Sequence, residues 1–464
     1  MNWHRVLLCT AACMAGVPLA QAQDPAEKLN MDLVGQHDLQ GRSAYQPVVH
    51  AQGQRWIAYI GLHGGSGPNV LTGKTEANGT AILDVTDPQR PKMLAHIPGA
   101  SGGAQMVRVC SGSELPRADK SKVYLLRTLG NAAHEVWNVA DPARPALVST
   151  VASGLHGTHK NWWECDSGIA YLVSGVPGWR TSRMTQIYDL GNPAKPVFIR
   201  NFGLPGQQPG ASGPVPTELH GPISTGPKGK RVYFGYGTSS YGILQIVDRD
   251  KLLNGPKEPT PENLLYPQLG RLDFGPDAGA HTVFPVLGMD VAGSANKRDR
   301  ARDFVVVTSE SLAEECREPR QQAWMVDVSV EARPQVAANW TVIDASGDFC
   351  RRGGRFGTHS SNESFAPAYY RRIMFFAHFN AGVRAVDIRD PLQPKEVAYY
   401  IPAATDKTDK RCVRIGGAER CKGVIQTNNV EVDERGYIYI VDRAHTGMHI
   451  LELTGPARAI AALK

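Results

Sequence analysis

Short apolar runs separated by turns of Gly, Pro, Asn and Asp follow one another along most of this chain, and a representative stretch spans residues 159–202. It divides into four short segments, residues 159–165, 169–173, 184–190 and 197–202. Runs of this length between turn residues predict short β-strands rather than helices. Four such strands form an antiparallel meander, which cannot bury both faces alone and must stack on neighbours.

The turn between the last two strands recurs. An apolar strand ending in Asp or Asn runs into the pattern D-P-x-x-P, or N-P-x-x-P, at residues 84–91, 138–145, 189–196 and 387–394, with weaker copies near Asp248, Asp327 and Glu452. Asp or Asn before Pro accepts local backbone hydrogen bonds, and Pro fixes φ at the corner. Repetition of one supersecondary unit predicts a repeat architecture.

Matching second and third strands can be identified seven times: residues 56–60 with 81–84, 123–126 with 136–139, 169–173 with 184–190, 232–235 with 244–248, 304–308 with 324–328, 373–377 with 383–388, and 437–442 with 449–453. The last unit lacks a fourth strand, and residues 31–39 resemble the outer strands of other units. We therefore predict an all-β, seven-bladed β-propeller of four-stranded antiparallel blades, closed by the N-terminal strand. The alternative is a six-bladed ring, which would follow if residues 251–303 contain no complete blade.

Residues 1–22 have the pattern of an export signal, with a basic start, an apolar stretch and the small-residue sequence Ala20-Gln-Ala22. The mature chain, residues 23–464, would be one propeller domain with long loop insertions near 251–303 and 403–422. No later segment is apolar enough to span a membrane. We expect a soluble periplasmic or secreted protein. Six cysteines remain, and we pair Cys110 with Cys165, Cys316 with Cys350, and Cys412 with Cys421.

Composition narrows the class further. The chain has 48 Gly and 32 Pro, which break long helices and favour an all-β fold. Its formal net charge is +6, and Lys and Arg are spread without dense runs, which argues against nucleic-acid binding. We expect a monomer whose partner is a small molecule or a component of the cell envelope.

The apolar strand, the D-x-x-D-P-x-x-P turn at residues 84–91 and the strand that follows resemble the LVIVD-repeat family of exported β-propellers. The resemblance covers nearly the whole mature chain. It implies a propeller fold and an exported location, and it does not imply a particular reaction.

One slot of the repeat carries histidine in four successive units. His159, His220, His281 and His359 each precede a first strand, the strand that lines the channel of a propeller, so the four should converge on the axis. Three or four imidazoles with an open position are a sufficient set of ligands for a transition metal. We predict a site for copper or zinc. Channels lined by His occur in the propellers of the selenium-binding protein (methanethiol oxidase) family and of nitrous oxide reductase, a likeness of fold and site alone.

Other side chains are expected at the same end of the channel as the four histidines. Gln105, Gln426 or Asn428, and Tyr45 occupy the corresponding slots of the remaining units, while His63, His378 and His445 follow second strands. Glu164, Glu218 and Glu363 are near the four histidines in sequence. We assign Glu164 and Glu218 as candidate catalytic acid/base groups.

Two alternatives stay open. Repeated histidines can brace a blade, as the Gly-His of WD40 repeats does, although the Asp and Trp which that network needs do not recur here. The protein could also be a non-enzymatic scaffold that binds an envelope protein or a glycan through its long loops.

Of Trp162 and Trp163, one should face the channel and one should pack between blades, and a ligand-stacking role is a minor alternative. Whether the protein is an enzyme is left undecided by the sequence.

Overall fold

The computed structural model describes residues 25–291 and 301–463, in which β-strands dominate. Seven four-stranded antiparallel blades are present. This confirms the predicted seven-bladed propeller and excludes the six-bladed alternative. The stretch 251–303 contains the fourth strand of one blade and the first strand of the next, Gln268–Asp273 and Thr282–Met289. The predicted export signal lies outside the described residues.

The strands of the blades, in chain order, are as follows. Blade 1 contains Ala44–Gln52, Arg55–His63, Thr80–Asp84 and Lys92–Ile97; blade 2 contains Val107–Ser111, Val123–Leu129, Ala133–Asn138 and Ala146–Ala152. Blade 3 contains Asn161–Trp163, Ile169–Ser174, Met184–Asp189 and Val197–Phe202; blade 4 contains Leu219–Ser224, Arg231–Tyr236, Ile243–Asp248 and Gln268–Asp273. Blade 5 contains Thr282–Met289, Arg302–Thr308, Ala323–Asp327 and Gln335–Trp340; blade 6 contains Ser360–Ser361, Ile373–Ala377, Val383–Asp387 and Lys395–Ile401. Blade 7 contains Thr427–Val432, Ile438–Asp442, Met448–Leu453 and, as its outer strand, Met31–His37.

The N-terminal segment closes the ring. Met31–His37 pairs antiparallel with the third strand of blade 7, with Met31 opposite Leu453, as predicted. Just before it, Glu27–Leu29 adds a fifth strand to blade 6 by pairing with Lys395–Ile401. One short segment therefore joins the last two blades and covers sheet edges that would otherwise be open.

The repeated turn has the predicted chemistry. Asp84 accepts a hydrogen bond from the backbone N–H of Thr86 at 2.9 Å, and Asp87 accepts one from that of Gln89 at 3.0 Å. The equivalent pairs recur in blades 2, 3 and 6. Blade 4 departs from the pattern because Asp248 instead caps a helix, accepting from the N–H of Lys251 at 2.9 Å.

Helices and hairpins are confined to the connections. The helices are Gly226–Gly229, Arg249–Asn254, Pro261–Leu265, Phe349–Arg352 and Gly455–Ile460, with 3-10 turns at Leu39–Gly41 and Asp344–Ser346. Two hairpins project from the blades: Ser66–Asn69 with Lys74–Ala77, and Lys410–Ile415 with Ala418–Gly423. A further short strand, Gly103–Ala104, pairs with the second strand of blade 1. No helix among the described residues is long and apolar enough to cross a membrane.

The core lies between the blades. Second and third strands are buried on both faces, as in Ile169–Ser174, because each blade is covered by a neighbour on either side. Three disulfides form in the predicted pairs, Cys110–Cys165, Cys316–Cys350 and Cys412–Cys421. The first of them joins the first strand of blade 2 to the end of the first strand of blade 3. The first strands contact one another around the axis and form the wall of a central channel.

Candidate metal centre

The four repeated histidines occupy equivalent backbone positions at one end of the channel, which we call the histidine mouth. The backbone N–H of His159, His281 and His359 donates to a carbonyl at the end of the second strand of the same blade, at 3.2, 2.8 and 2.9 Å respectively. His220 is the second residue of the first strand of blade 4. All four side chains are buried. The repeat therefore places one imidazole from each of blades 3 to 6 beside the axis.

The imidazoles contact one another in sequence. The ring centroids are 4.6 Å apart for His159 and His220, 3.5 Å for His220 and His281, and 4.5 Å for His281 and His359. The Nε2 atoms of His159 and His220 are 2.8 Å apart. Tyr45 of blade 1 continues the arc, since its hydroxyl lies 3.1 Å from Nε2 of His159 and its ring lies 5.6 Å from that of His359.

The hydrogen bonds of the histidines fix which ring nitrogen keeps a lone pair that a metal ion could use. Nδ1 of His220 donates to the backbone carbonyl of His281 at 2.8 Å, and Nδ1 of His359 donates to the carbonyl of Asn428. A neutral imidazole protonated on Nδ1 carries its lone pair on Nε2. Nδ1 of His281 lies 2.9 Å from the Thr282 hydroxyl, and its Nε2 is buried with no hydrogen-bond partner among the described residues. Donation of the second ring nitrogen to a carbonyl is the arrangement seen in metal-bound histidines.

Glu310 completes this group, and the repeated histidines do not point to it. Its carboxylate oxygens lie 3.6 Å from Nε2 of His281 and 3.6 Å from Nε2 of His359. One ligand atom from each of His220, His281 and Glu310 lies within 4.8 Å of the other two, so the three can reach one ion. Glu310 follows the second strand of blade 5, which is the slot that His63 occupies in blade 1. A search of that slot for every metal-ligating residue would have found it.

Burial sets the protonation states of the centre. Burial lowers the pKa of His159, His220, His281 and His359 well below 6.5, and neighbouring cations lower them further. The first of these cations is Arg183 for His159 and Arg443 for His359. Burial raises the pKa of Glu310, and nearby Arg443 and Arg355 oppose that shift. At neutral pH the imidazoles are therefore neutral, which is the form that binds metals.

Two arginines from different loops contact the centre. Arg355 Nη1 donates to Glu310 at 3.0 Å, and Arg443 Nη1 lies 3.8 Å from the same carboxylate. Arg443 Nε donates to Nε2 of His63 at 3.2 Å, and the His63 ring packs edge-on against Tyr45 at 5.1 Å. His63 thus joins the mouth as its slot indicates.

The other two histidines that follow second strands have different surroundings. His378 is buried between the rings of Phe356 and Trp340, at 4.9 and 6.1 Å, and burial lowers its pKa to about 3. His445 is a partly buried loop residue with φ of +73°. Neither makes a ring contact with the four repeated histidines among the described residues.

The structure places Glu164, a candidate catalytic group, away from the histidines. It follows the first strand of blade 3, whereas His159 precedes that strand, so the two lie at opposite ends of the channel wall. Its carboxylate is buried and accepts from Arg249 Nη2 at 2.7 Å, from the Tyr171 hydroxyl at 3.0 Å and from the Ser224 hydroxyl at 2.5 Å. Both of its oxygens are taken up by an ion pair that joins blades 3 and 4.

Glu218, the second candidate catalytic group, is also turned away from the centre. Although it precedes His220 by two residues, its side chain is exposed and accepts from the backbone N–H of Ser182 at 3.3 Å. Residues two apart share a face only within a strand. This strand begins at Leu219, so Glu218 lies before it and its side chain is not held on the face of His220.

Glu363 lies inside the channel, in a charged layer below the imidazoles. It forms ion pairs with Lys160 and with Arg108, and its backbone N–H donates to Glu431. Burial raises the pKa of Glu363, but Lys160 and Arg108 outweigh it and hold the value below the usual range. Burial raises the pKa of Glu431 to about 8. Lys160 Nζ also reaches the Thr282 hydroxyl at 3.4 Å, which connects this layer to His281.

Trp162 and Trp163 divide as predicted. Trp163 is buried against blade 2, and Trp162 faces the channel with Arg108 Cζ 4.6 Å from its ring centre. Trp162 also lines a cavity of 360 Å³ at the end of the channel opposite the histidine mouth, together with Phe365 and Tyr370.

Comparisons with known proteins support the architecture. No protein-family model matches the sequence, and no curated protein matches it. Among solved structures the chain is similar to Raptor of Chaetomium thermophilum, with 10% identity and a TM-score of 0.53, over 91% of this chain and 29% of that one. It is also similar to Sqt1 of the same organism, with 9% identity and a TM-score of 0.49, over 92% of this chain and 98% of that one. At these identities the likeness to Raptor concerns the propeller fold alone.

Proposed function

We propose that this protein binds one divalent transition-metal ion, copper or zinc, at the histidine mouth, through His220, His281 and Glu310. The observation that carries the proposal is the buried Nε2 of His281, which has no hydrogen-bond partner among the described residues and lies 3.6 Å from Glu310. A buried polar atom without a partner costs on the order of 1–3 kcal/mol. A bound ion would remove that cost.

The donor set fits such an ion. Two imidazoles and a carboxylate are ligands that zinc and copper accept, and three protein ligands leave a fourth position open. His359 and His159 extend the arc on either side, with Nδ1 of His359 held by the Asn428 carbonyl. When bound, the ion would supply Lewis-acid or redox chemistry at this open position. We propose that the protein is a metal-dependent enzyme of oxidoreductase type, in which the histidines hold the ion and the surrounding arginines orient the substrate.

The location is part of the proposal. Residues 1–22 would direct export and be removed, and three disulfides suit an oxidising compartment such as a periplasm. Membership of the LVIVD-repeat family and action as a monomer are proposed with it, on the repeat pattern described above.

Metal analysis of the purified mature protein tests the central point. The protein is dialysed against copper or zinc, freed of excess ion and measured by inductively coupled plasma mass spectrometry. We expect about one equivalent in the native protein and less than a fifth of that in the His281→Gln and Glu310→Gln variants. His50→Gln, at the opposite end of the channel, serves as the matched control and should keep the full content. Equal metal content in all four proteins, or none in the native protein, contradicts the proposal.

A scaffold function has one structural observation in its favour. Phe365 is shared by two cavities at the opposite mouth, of 360 and 490 Å³, and Trp162 and Trp56 line one cavity each. Partly exposed aromatic rings beside polar groups suit stacking on a sugar ring. The second candidate is therefore a glycan-binding propeller. Retention on immobilised envelope polysaccharide that is lost in Trp162→Ala and kept in His281→Gln would favour it, and no retention of the native protein would count against it.

A further inference from the structure

The group that holds the second ring nitrogen differs among the histidines of the centre. Nδ1 of His220 and Nδ1 of His359 donate to backbone carbonyls, those of His281 and Asn428. Nδ1 of His281 instead lies 2.9 Å from the side-chain hydroxyl of Thr282, the next residue. Among these three histidines, a single substitution can therefore remove the hydrogen-bond partner of Nδ1 in His281 alone.

The Thr282 hydroxyl is held in turn by a lysine of the charged layer. Lys160 Nζ donates to it at 3.4 Å and forms an ion pair with Glu363, and the side chains of Lys160 and Glu363 are only 3% and 2% exposed. An ammonium group has donors and no acceptor, so Lys160 takes one lone pair of the hydroxyl. The second lone pair can accept from Nδ1–H of His281, the state in which Nε2 carries the lone pair of the ring.

The first strand of blade 4 leaves room for this lysine. Lys160 directly precedes the first strand of blade 3, and Thr282 begins the first strand of blade 5, so the side chain of Lys160 crosses blade 4. It passes Gly221, the residue after His220, where an added Cβ would come within 2.6 Å of the Lys160 Cδ. A larger residue at this position would have to displace the lysine. The absence of a side chain at Gly221 thus lets one blade reach the hydroxyl beside His281 in the next blade but one.

The hydrogen bond to Thr282 is the one that fixes the direction of the His281 ring. Nε2 of His281 is buried, has no hydrogen-bond partner among the described residues and lies 3.6 Å from the Glu310 carboxylate. From this series of contacts we infer that Thr282, held by Lys160, is the positioning residue that directs Nε2 of His281 toward the ion. The inference rests on the proposed metal site. Removal of a partner of this kind typically lowers metal affinity by about 10- to 100-fold.

The experiment uses copper(II) as the probe with the full mature protein. Thr282→Val removes the hydroxyl and keeps the branched shape, Thr282→Ser keeps the hydroxyl, and Lys160→Met removes the ammonium while Glu363 keeps its ion pair with Arg108. Thr308→Val is the matched control. Thr308 lies directly opposite Thr282 on the second strand of blade 5, and its hydroxyl is buried with no hydrogen-bond partner in the described part of the chain.

Copper affinity is measured by competition with a chelating dye, and the electron paramagnetic resonance spectrum of bound copper is recorded for each protein. Thr282→Val should weaken copper binding by about 10- to 100-fold and change the spectrum, because the ring of His281 is no longer held. Thr282→Ser should keep most of the affinity and the native spectrum. Lys160→Met should weaken copper binding, and Thr308→Val should behave as native.

The outcomes separate this inference from the metal site itself. Native affinity and a native spectrum in Thr282→Val would overturn the inference and leave the metal site standing. Equal losses in Thr282→Val and Thr308→Val would also overturn it, because the packing of blade 5 would then explain both. A native protein that takes up no copper overturns the two claims together. If thermal unfolding shows that Thr282→Val does not fold, Lys160→Met decides, and native affinity in that variant would overturn the inference.

Discussion

Removal of Glu164 should destabilise the propeller without affecting the histidine centre. The Glu164 carboxylate is buried, and the side chain of its partner Arg249 is 8% exposed. Two nitrogens of the guanidinium bond to it, Nη2 at 2.7 Å and Nε at 2.9 Å. Glu164→Ala would leave Arg249 as a buried charge without a counter-ion and would remove the acceptor of three hydroxyls, those of Ser167, Tyr171 and Ser224.

The size of the effect follows from the kind of contact. Breaking a buried ion pair by removing one partner costs about 3–5 kcal/mol, because the remaining charge stays desolvated. Burial lowers the pKa of Arg249, and its bonds to Glu164 raise it overall. The influence of Glu164 is lost in the variant, but an arginine side chain stays charged at neutral pH in proteins. We expect the free energy of unfolding to fall by about 3–5 kcal/mol. Glu218→Ala, an exposed matched control, should change it by less than about 0.5 kcal/mol.

Urea denaturation followed by circular dichroism measures these differences, and metal content is measured on the same samples. A double variant, Glu164→Met with Arg249→Met, should recover much of the loss, since it removes the charges together. The reasoning is refuted if Glu164→Ala lowers stability by less than 1 kcal/mol. Loss of metal with unchanged stability would instead return Glu164 to the functional site.

Two further predictions rest on the described residues and a third rests on the sequence alone. Replacing Cys110 and Cys165 by Ser opens a loop of 55 residues and should lower the free energy of unfolding by about 4 kcal/mol. The same change at Cys412 and Cys421, whose loop has 9 residues, should lower it by less. Urea midpoints measure both, and an equal or reversed order would contradict the prediction. Burial holds the pKa of His134 and His449 at about 4, below the ordinary 6.5, so the unfolded chain takes up protons at a higher pH than the folded one. The stability that depends on these histidines should be complete above about pH 6.5 and be lost progressively toward pH 4. A thermal midpoint that stays constant over that range would contradict the prediction. Mass spectrometry of the exported protein should give a mature chain beginning at Gln23, and an intact Met1 would exclude cleavage.

The fold could be predicted from the sequence because four of the seven units repeat the same turn chemistry. The turn at residues 84–91 fixes the register of strands on either side, so the remaining strands could be located by comparison with one clear unit. The closing strand could be recognised because Met31–His37 alternates like the outer strands. The helices after Asp248 could not, since there the turn residue caps a helix instead.

The candidate site could be predicted from the sequence only in part. The four histidines share one slot of the repeat, and three of them, His159, His281 and His359, have the same backbone pairing, so their convergence follows from the repeat. Closeness in sequence relates Glu164 and Glu218 to the histidines, but it does not decide where their side chains lie. A first strand separates Glu164 from His159, and Glu218 precedes the strand that fixes His220. Glu310 and Arg443 come from loops of different blades, and only the closed ring brings them together.

The most direct measurement is anomalous diffraction from crystals of the mature protein loaded with zinc, with data collected on both sides of the zinc absorption edge. The account predicts one strong peak at the histidine mouth, about 2.0–2.2 Å from a ring nitrogen of His220, from Nε2 of His281 and from a carboxylate oxygen of Glu310. Fully loaded crystals with no peak at these three residues, or with zinc bound elsewhere, would contradict it.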